Sequence, residues 1–366
     1  MSFTLPEYHA PDFSLASFEQ SPDVSLQRAV KDGVAPKGFH STSMFPEYYK
    51  VGGRWLLAQD SRMDCLVLLD DSGELQVVEG RRVKKGDRVV MGRTERGEQG
   101  IYVHATGFLP PEDSHDDKFV FRTGRSRETA FSRDYDKLYE LLAYEKEHGN
   151  IVFVLGPAVA FDNDSRRAMQ LLIENGYIDG ILAGNALATH DLEAGYFKTA
   201  LGQNIYTQES MPNGHYNHLD VLNMVRDYGS IETFIEKEKI KDGIVYAMVK
   251  QKKTLVLAGS IRDDGPLPEV YANVYAAQDA MRSVVRNATT VVCLATQLHS
   301  IATGNMTPSF RVVEGNVRPV FIYSVDISEF AVNKLKDRGS LSATAIVTNV
   351  QDFIVNVAKG MNVGKL

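Results

Sequence analysis

The sequence predicts an α/β fold: a parallel sheet covered on both faces, preceded by a small β-rich domain. Three observations predict it. From residue 150 onward, near-continuous apolar runs of strand length alternate with helical patterns. Between about residues 44 and 108, short β-branched or aromatic runs are separated by Gly and Asp turns. The stretch TLVLAGSIRDDGPLPE, residues 254–269, runs from a buried strand through a polar loop toward a helix, which is half of a βαβ unit.

The 366 residues suffice for two domains, and the expected division is 1–130 and 131–366. Residues 1–40, rich in Pro, Ser, Asp and Phe, read as an irregular arm with one short helix over 24–32. The runs RWLLA, CLVLLD, ELQVVEG, DRVVMG and GIYVHATGF then read as strands of the β-rich domain. Residues 109–130 are polar and carry Pro and Gly, as a linker does. A helix is predicted over 134–148, because Tyr135, Leu138, Leu141 and Leu142 share one face.

Six strands follow, at 151–155, 180–184, 254–259, 289–296, 319–326 and 344–350. Helical patterns between and after them cover 164–175, 219–228, 231–238, 243–250, 271–287, 328–338 and 350–358.

Bulk composition narrows the class. With 43% hydrophobic and 24% charged residues, the chain is of ordinary globular make-up. A net charge of −7 argues against a nucleic-acid partner, whose phosphates need clustered Lys and Arg. The one basic cluster, Arg81-Arg82 with Lys84-Lys85, reads as a solvated hairpin turn. Cys65 and Cys293 both lie in strand-like runs, so the expectation is two buried thiols in a reducing cytoplasm. No basic start followed by an apolar core marks a secretion signal, and no apolar run approaches the roughly 20 residues of a membrane helix. The expected state is a soluble homo-oligomer with no membrane partner.

Small and polar residues follow each of the six strands. They are Gly156-Pro157-Ala158, then Gly184-Asn185-Ala186 with His190-Asp191, and then the SIRDDG loop. Thr296-Gln297-Leu298-His299-Ser300, Asp326, and Thr348-Asn349 follow the last three. That layout suits a nucleotide crevice: small residues let backbone amides approach phosphates, and a terminal acid binds ribose hydroxyls. Asp326 fits the ribose role or that of a helix N-cap. The glycine fingerprint G-x-G-x-x-G is absent, so the nucleotide reading rests on strand ends alone. His299 reads as a loop residue, suited to carry a proton or touch a cofactor. His215 and His218 have no evident third ligand beside them, so no metal is expected, and they read as substrate-facing or as plain structural residues at a loop-to-helix boundary.

The strings ENGYIDGILAGNALATHDLE, GIVYAMVKQKKTLVLAGSIRDDGPLPEV, AQDAMR, ATQLHSIATGN, VDIS and KLKDRGS, in that order, resemble the archaeal-type ornithine cyclodeaminases. They also resemble the C-terminal part of the cyanobacterial arginine dihydrolase/ornithine cyclodeaminase enzymes, a group that carries a LOR/SDH label from plant enzymes. The likeness covers about residues 150–360 well and the β-rich part more faintly. This chain has Phe161-Asp162-Asn163 where the family usually has His-Thr-Gly, and Gly214-His215-Tyr216-Asn217-His218 where it has G-H-R-H-H. Gln297 stands for a Met, Asn349 for an Asp, and the stretch at 311–318 is longer than usual.

The resemblance implies a Rossmann-like domain with bound NAD and an amino-acid substrate, L-ornithine, cyclised to L-proline with loss of ammonia. The implied NAD contacts are Asn185, Ala186, Asp264, Thr296, Gln297, Leu298, His299, Asp326, Asn349 and Val350. Asp263 and His299 are the candidates for proton traffic, and Arg262 for clamping the substrate carboxylate. Asp64 is expected to reach the site from the β-rich domain. A dehydrogenase or imine reductase on another amino acid, and an NAD-binding regulatory module, are the competing readings.

Overall fold

The computed structural model describes residues 3–108, 132–263, 265–328 and 341–365. The β-rich part carries β1 (Ser25–Arg28), β2 (Glu47–Val51), β3 (Arg54–Leu57), β4 (Leu66–Leu69), β5 (Leu75–Val78), β6 (Arg88–Met91) and β7 (Ile101–Val103). They form a four-stranded sheet in the order β1-β6-β4-β5 and a three-stranded sheet in the order β3-β2-β7, both antiparallel. Tyr49, Val67, Val90 and Ile101 are among the residues that close a small core between them.

The helix expected over 24–32 is instead β1, whose four residues pair with β6 while all facing solvent. A four-residue helix, α1 (Ala16–Glu19), lies earlier in the arm. An exposed edge strand lacks the alternation that marks a half-buried one, so its period gave no signal. The arm also reaches the rest of the molecule: Phe3 packs on Tyr144 and Phe321, with ring centres at 5.3 and 5.6 Å.

The remainder opens with α2 (Ser132–His148), β8 (Ile151–Leu155), α3 (Asn163–Glu174), β9 (Gly180–Gly184) and α4 (Asn185–Phe197). A two-residue ribbon, β10 (Thr199–Ala200) and β11 (Gln203–Asn204), follows, then α5 (Asn217–Tyr228), α6 (Ile231–Lys237) and α7 (Ile244–Lys250). Next come β12 (Thr254–Ala258), α8 (Val274–Val285), β13 (Thr290–Leu294) and α9 (Gln297–Met306). A hairpin of β14 (Phe310–Val313) and β15 (Asn316–Pro319) leads to β16 (Phe321–Asp326), β17 (Ser342–Val347) and α10 (Val350–Gly360).

All six expected strands form one parallel sheet in the order β12-β9-β8-β13-β16-β17. Numbered along the chain within the sheet, this is 3-2-1-4-5-6, the order of two mononucleotide halves meeting between strands one and four. Both faces are covered. A large core joins α2, α3, α4, α7 and α10 to one face, and a smaller one joins α8 and the end of α9 to the other.

Two helices escape the sequence reading. α4 is buried on nearly every side from Leu187 to Gly195, so it has no stripe to detect. α9 buries Ser300, Thr303 and Met306 at a spacing of three, a face made partly of small polar residues. His299 therefore lies in the first turn of a helix, not in a loop. The helix expected over 328–338 falls almost wholly outside the described residues.

The basic turn is not simply solvated. Arg81 and Arg82 both bind Asp279 of α8, and Arg81 lies over the ring of Tyr275 at 5.2 Å. Next to them Arg62 reaches Glu79, and Arg282 meets the same carboxylate at 2.7 Å. Burial lowers the Arg282 pKa to about 10, with Glu79 holding it up and Arg62, Arg82 and Arg81 pushing it down. Arg62 also donates from Nε to the carbonyl of Asn305 at the last turn of α9. These contacts tie the β-rich part to α8 and α9.

Both cysteines are buried, as expected. Burial pushes the Cys293 thiol up to about 12 and raises that of Cys65.

Candidate active site

Because the six strands are parallel, their trailing residues emerge along one edge. β12 and β16 are four steps apart in the sheet, roughly 19 Å at strand spacing. At the middle of that edge β8 and β13 end side by side. A Cβ on Gly156 would stand 1.9 Å from the carbonyl oxygen of Ala295, and only glycine permits that approach. Ala295 takes a left-handed backbone angle (φ 50°) and turns the chain from β13 into α9. Gly156→Ala is expected to lower the unfolding free energy by about 1–3 kcal/mol, as overpacking does. Urea unfolding of the variant measures this, and an unchanged midpoint would rule out the close approach.

α9 starts on Thr296, whose side chain makes no capping hydrogen bond. The first amide groups of the helix are therefore open to an anion at the strand edge. Gln297 and Leu298 face solvent, Leu298 with 74% of its surface exposed. His299 is partly buried and lies against Gly184, where a Cβ would come within 3.0 Å of its Cε1. Burial lowers its pKa below the ordinary histidine value, and the charge of Asp263 pulls it part of the way back. At neutral pH the imidazole is uncharged and able to accept a proton.

The loop after β12 is cinched at its base. Gly259 donates to the carbonyl of Tyr271 at 3.0 Å, and Tyr271 donates to that of Leu257 at 2.9 Å. Further along, the amide of Leu267 donates to Asn185 Oδ1 at 3.0 Å, and Arg226 Nε donates to the carbonyl of Pro266 at 3.2 Å. The tip between these anchors is open. Ile261 is fully solvent-facing and Arg262 is exposed, and Asp263 Oδ2 accepts the Ser260 amide at 2.7 Å. Exposed Ile261, Leu298 and Ile327 give the edge an apolar surface that bare solvent does not favour.

Asn185 is thus buried and occupied in holding the loop, while Ala186 beside it is exposed on the first turn of α4. Asp326 ends β16 and accepts the Ser328 amide at 2.8 Å. Asn349 caps α10 through the amides of Gln351 and Asp352, and the Val350 side chain is buried in the core. Asp264 lies outside the described residues. Asp64 does not join this edge: it lines a cavity of about 210 Å³ with Gly304, Asn305 and Met306, at the far end of α9. A larger cleft of about 800 Å³ lies between the arm, the last turn of α2 and the β14-β15 hairpin. That is at the opposite edge of the sheet, where α2 leads into β8, so it is not the strand-end site.

Sequence reasoning missed a buried polar cluster behind the edge. Glu193 of α4 binds His190 Nδ1 at 2.9 Å, Thr199 Oγ1 at 2.8 Å and the amides of Leu201 and Gly202 at 3.2 and 3.0 Å. Asp191, expected as an edge residue, is instead buried, binding Arg166 and capping α7 through the amides of Ile244 and Val245. Arg166 and α7 come from segments distant from Asp191, so only their shared chemistry, not their spacing, could have suggested that pairing.

Residues 138–357 match the family described as arginine dihydrolase ArgZ-like, C-terminal, Rossmann fold, and residues 46–126 match its first region. The chain belongs to this family. Among relatives of the ArgZ-like C-terminal unit, an ornithine cyclodeaminase from Methanococcus maripaludis is 36% identical over 356 residues, covering 94% of this chain and 80% of the relative. A crystal structure of a LOR/SDH protein from the same organism superposes with a TM-score of 0.83 at 35% identity, covering 93% of this chain and 98% of the other. The structure of AgrE with ornithine and NAD+ matches with a TM-score of 0.57 at 28% identity, covering 94% of this chain. This chain spans 46% of AgrE, which in Nostoc is a bifunctional arginine dihydrolase/ornithine cyclodeaminase.

The edge of this ArgZ-like unit fits a dinucleotide on its own geometry. It has the reversed strand order, a backbone approach at Gly156 that a side chain would block, an uncapped helix start at Thr296 and an acid at Asp326.

Proposed function

We propose that this protein is an NAD-dependent ornithine cyclodeaminase, an ammonia-lyase that converts L-ornithine to L-proline. The observation that carries the reading is the relative named for that activity, aligned over 94% of the chain, together with a strand edge shaped for a dinucleotide. NAD, when bound, accepts a hydride from the substrate and gives it back, so none is consumed. Asn185, Ala186, Thr296 to His299, Asp326, and the backbone at Asn349 and Val350 would hold it, with Asp264 alongside.

The residues of the chain supply the rest. Arg262 at the loop tip is free to take the substrate carboxylate. Neutral His299 accepts the proton of the α-amine, and Asp263 stabilises the imidazolium that results. Ile261, Leu298 and Ile327 shield the reacting atoms from water once a ligand covers them. The two-part division near residue 130 belongs to this proposal, with the β-rich part bracing α8 and α9. So does a cytoplasmic setting, in which two buried thiols stay reduced. We also propose a homo-oligomer.

The test is purified protein given ornithine and a small fraction of an equivalent of NAD. Proline and ammonia should form far beyond the NAD supplied. NADH rising in step with ornithine loss would make it a dehydrogenase. Tight NAD binding without turnover, across a panel of amino acids, would make it a regulatory module.

A further inference from the structure

The cluster around Glu193 holds two histidines that the mechanism above does not use. Glu193 is fully buried, and each of its oxygens accepts two hydrogen bonds. A carboxylate only accepts, so His190 donates to it from Nδ1, and in the neutral ring the lone pair is on Nε2. That ring, 8% exposed, meets Phe161 edge-on at 5.6 Å and His218 at 5.9 Å. His218 Nδ1 is buried and has no hydrogen-bond partner among the described residues. His190 lies five residues into α4 from Asn185, roughly 7–8 Å behind the strand edge. Phe161 sits on the short turn that leaves β8.

A carboxylate-fixed imidazole, a second imidazole with an unmet nitrogen and an aromatic ring make a receptor for an ammonium group. We propose that His190, oriented by Glu193, takes a proton from the distal ammonium of a diamino-acid substrate, with His218 and Phe161 completing the amine subsite. This rests on the cyclodeaminase reading. The N–H bond of the ammonium breaks and its electron pair stays on nitrogen, while the proton goes to His190 Nε2. The freed lone pair forms the new C–N bond at the α-carbon, and the old C–N bond breaks with its electrons on the departing nitrogen. His190 then gives its proton to the ammonia and is neutral again.

The experiment uses the full chain loaded with NAD. His190→Asn keeps a donor toward Glu193 and removes the base. Its kcat on ornithine should fall about 10²–10⁴-fold, with NAD affinity unchanged. His218→Ala removes a ring whose Nδ1 has no hydrogen-bond partner among the described residues. By calorimetry it should weaken ornithine binding at least tenfold while leaving norvaline, which lacks the distal amine, unaffected. A wild type active on ornithine and an equally active His190→Asn would overturn the subsite but leave the function standing. An inactive wild type would overturn the function. The subsite is then judged by binding alone: ornithine preferred over norvaline, with the preference lost in His218→Ala, supports it, and equal binding overturns it.

Discussion

Arg318→Met is expected to lower the unfolding free energy by about 3–5 kcal/mol, the usual cost of removing one partner from a buried ion pair. Arg318 lies on β15 and Glu145 on α2, and both side chains are almost wholly buried. Glu145 also accepts from Thr289, whose hydroxyl in turn accepts the Asn150 amide at 2.8 Å. Gly149 makes room for the carboxylate, since a Cβ there would lie 1.6 Å from Glu145 Oε2. The single substitution strands a charge in this pocket. Arg318→Met with Glu145→Leu removes both charges and should recover most of the loss, because an apolar pair of similar size needs no solvation. Urea unfolding of the two singles and the double gives the coupling directly. A single variant within 1 kcal/mol of the parent would mean that the pair is solvated after all.

His299→Ala is expected to cut kcat by about 10²–10⁴-fold, the span of a lost general base, with NAD affinity moving only a few fold. Wild-type kcat/KM should rise with pH through a value below the usual histidine range and then level off, because burial holds the imidazole neutral. Asp263 raises that value, so Asp263→Asn should slide the acid limb to lower pH. Profiles of the two proteins decide the matter: superimposable limbs would remove His299 from the proton path, or Asp263 from its neighbourhood.

The sheet was legible because most of its strands are largely apolar runs of five or six residues, such as IVFVL and TVVCL. The convergence of strand-end residues then follows from parallel topology, and it needed no glycine fingerprint. α4 was not legible, because periodicity reveals only a helix with a wet side, and this one has almost none. α9 was hidden by Ser300 and Thr303 standing where apolar residues were sought. β1 was misassigned because an edge strand facing solvent has no pattern of its own. Ion pairs such as Arg318 with Glu145 join residues far apart in the chain, and only tertiary packing reveals them. The Glu193 cluster is local in the chain, with partners three to nine residues away, but its meaning appears only once the β10-β11 segment folds back to make three bonds to the carboxylate.

The helix carrying His299 is gripped at its other end by Arg62, a residue of the β-rich part. A chimaera that grafts a relative's first region onto this Rossmann unit would therefore replace the far anchorage of that rod. Keeping an arginine at the graft's equivalent of position 62 is the least such a design must respect if the imidazole is to stay aimed.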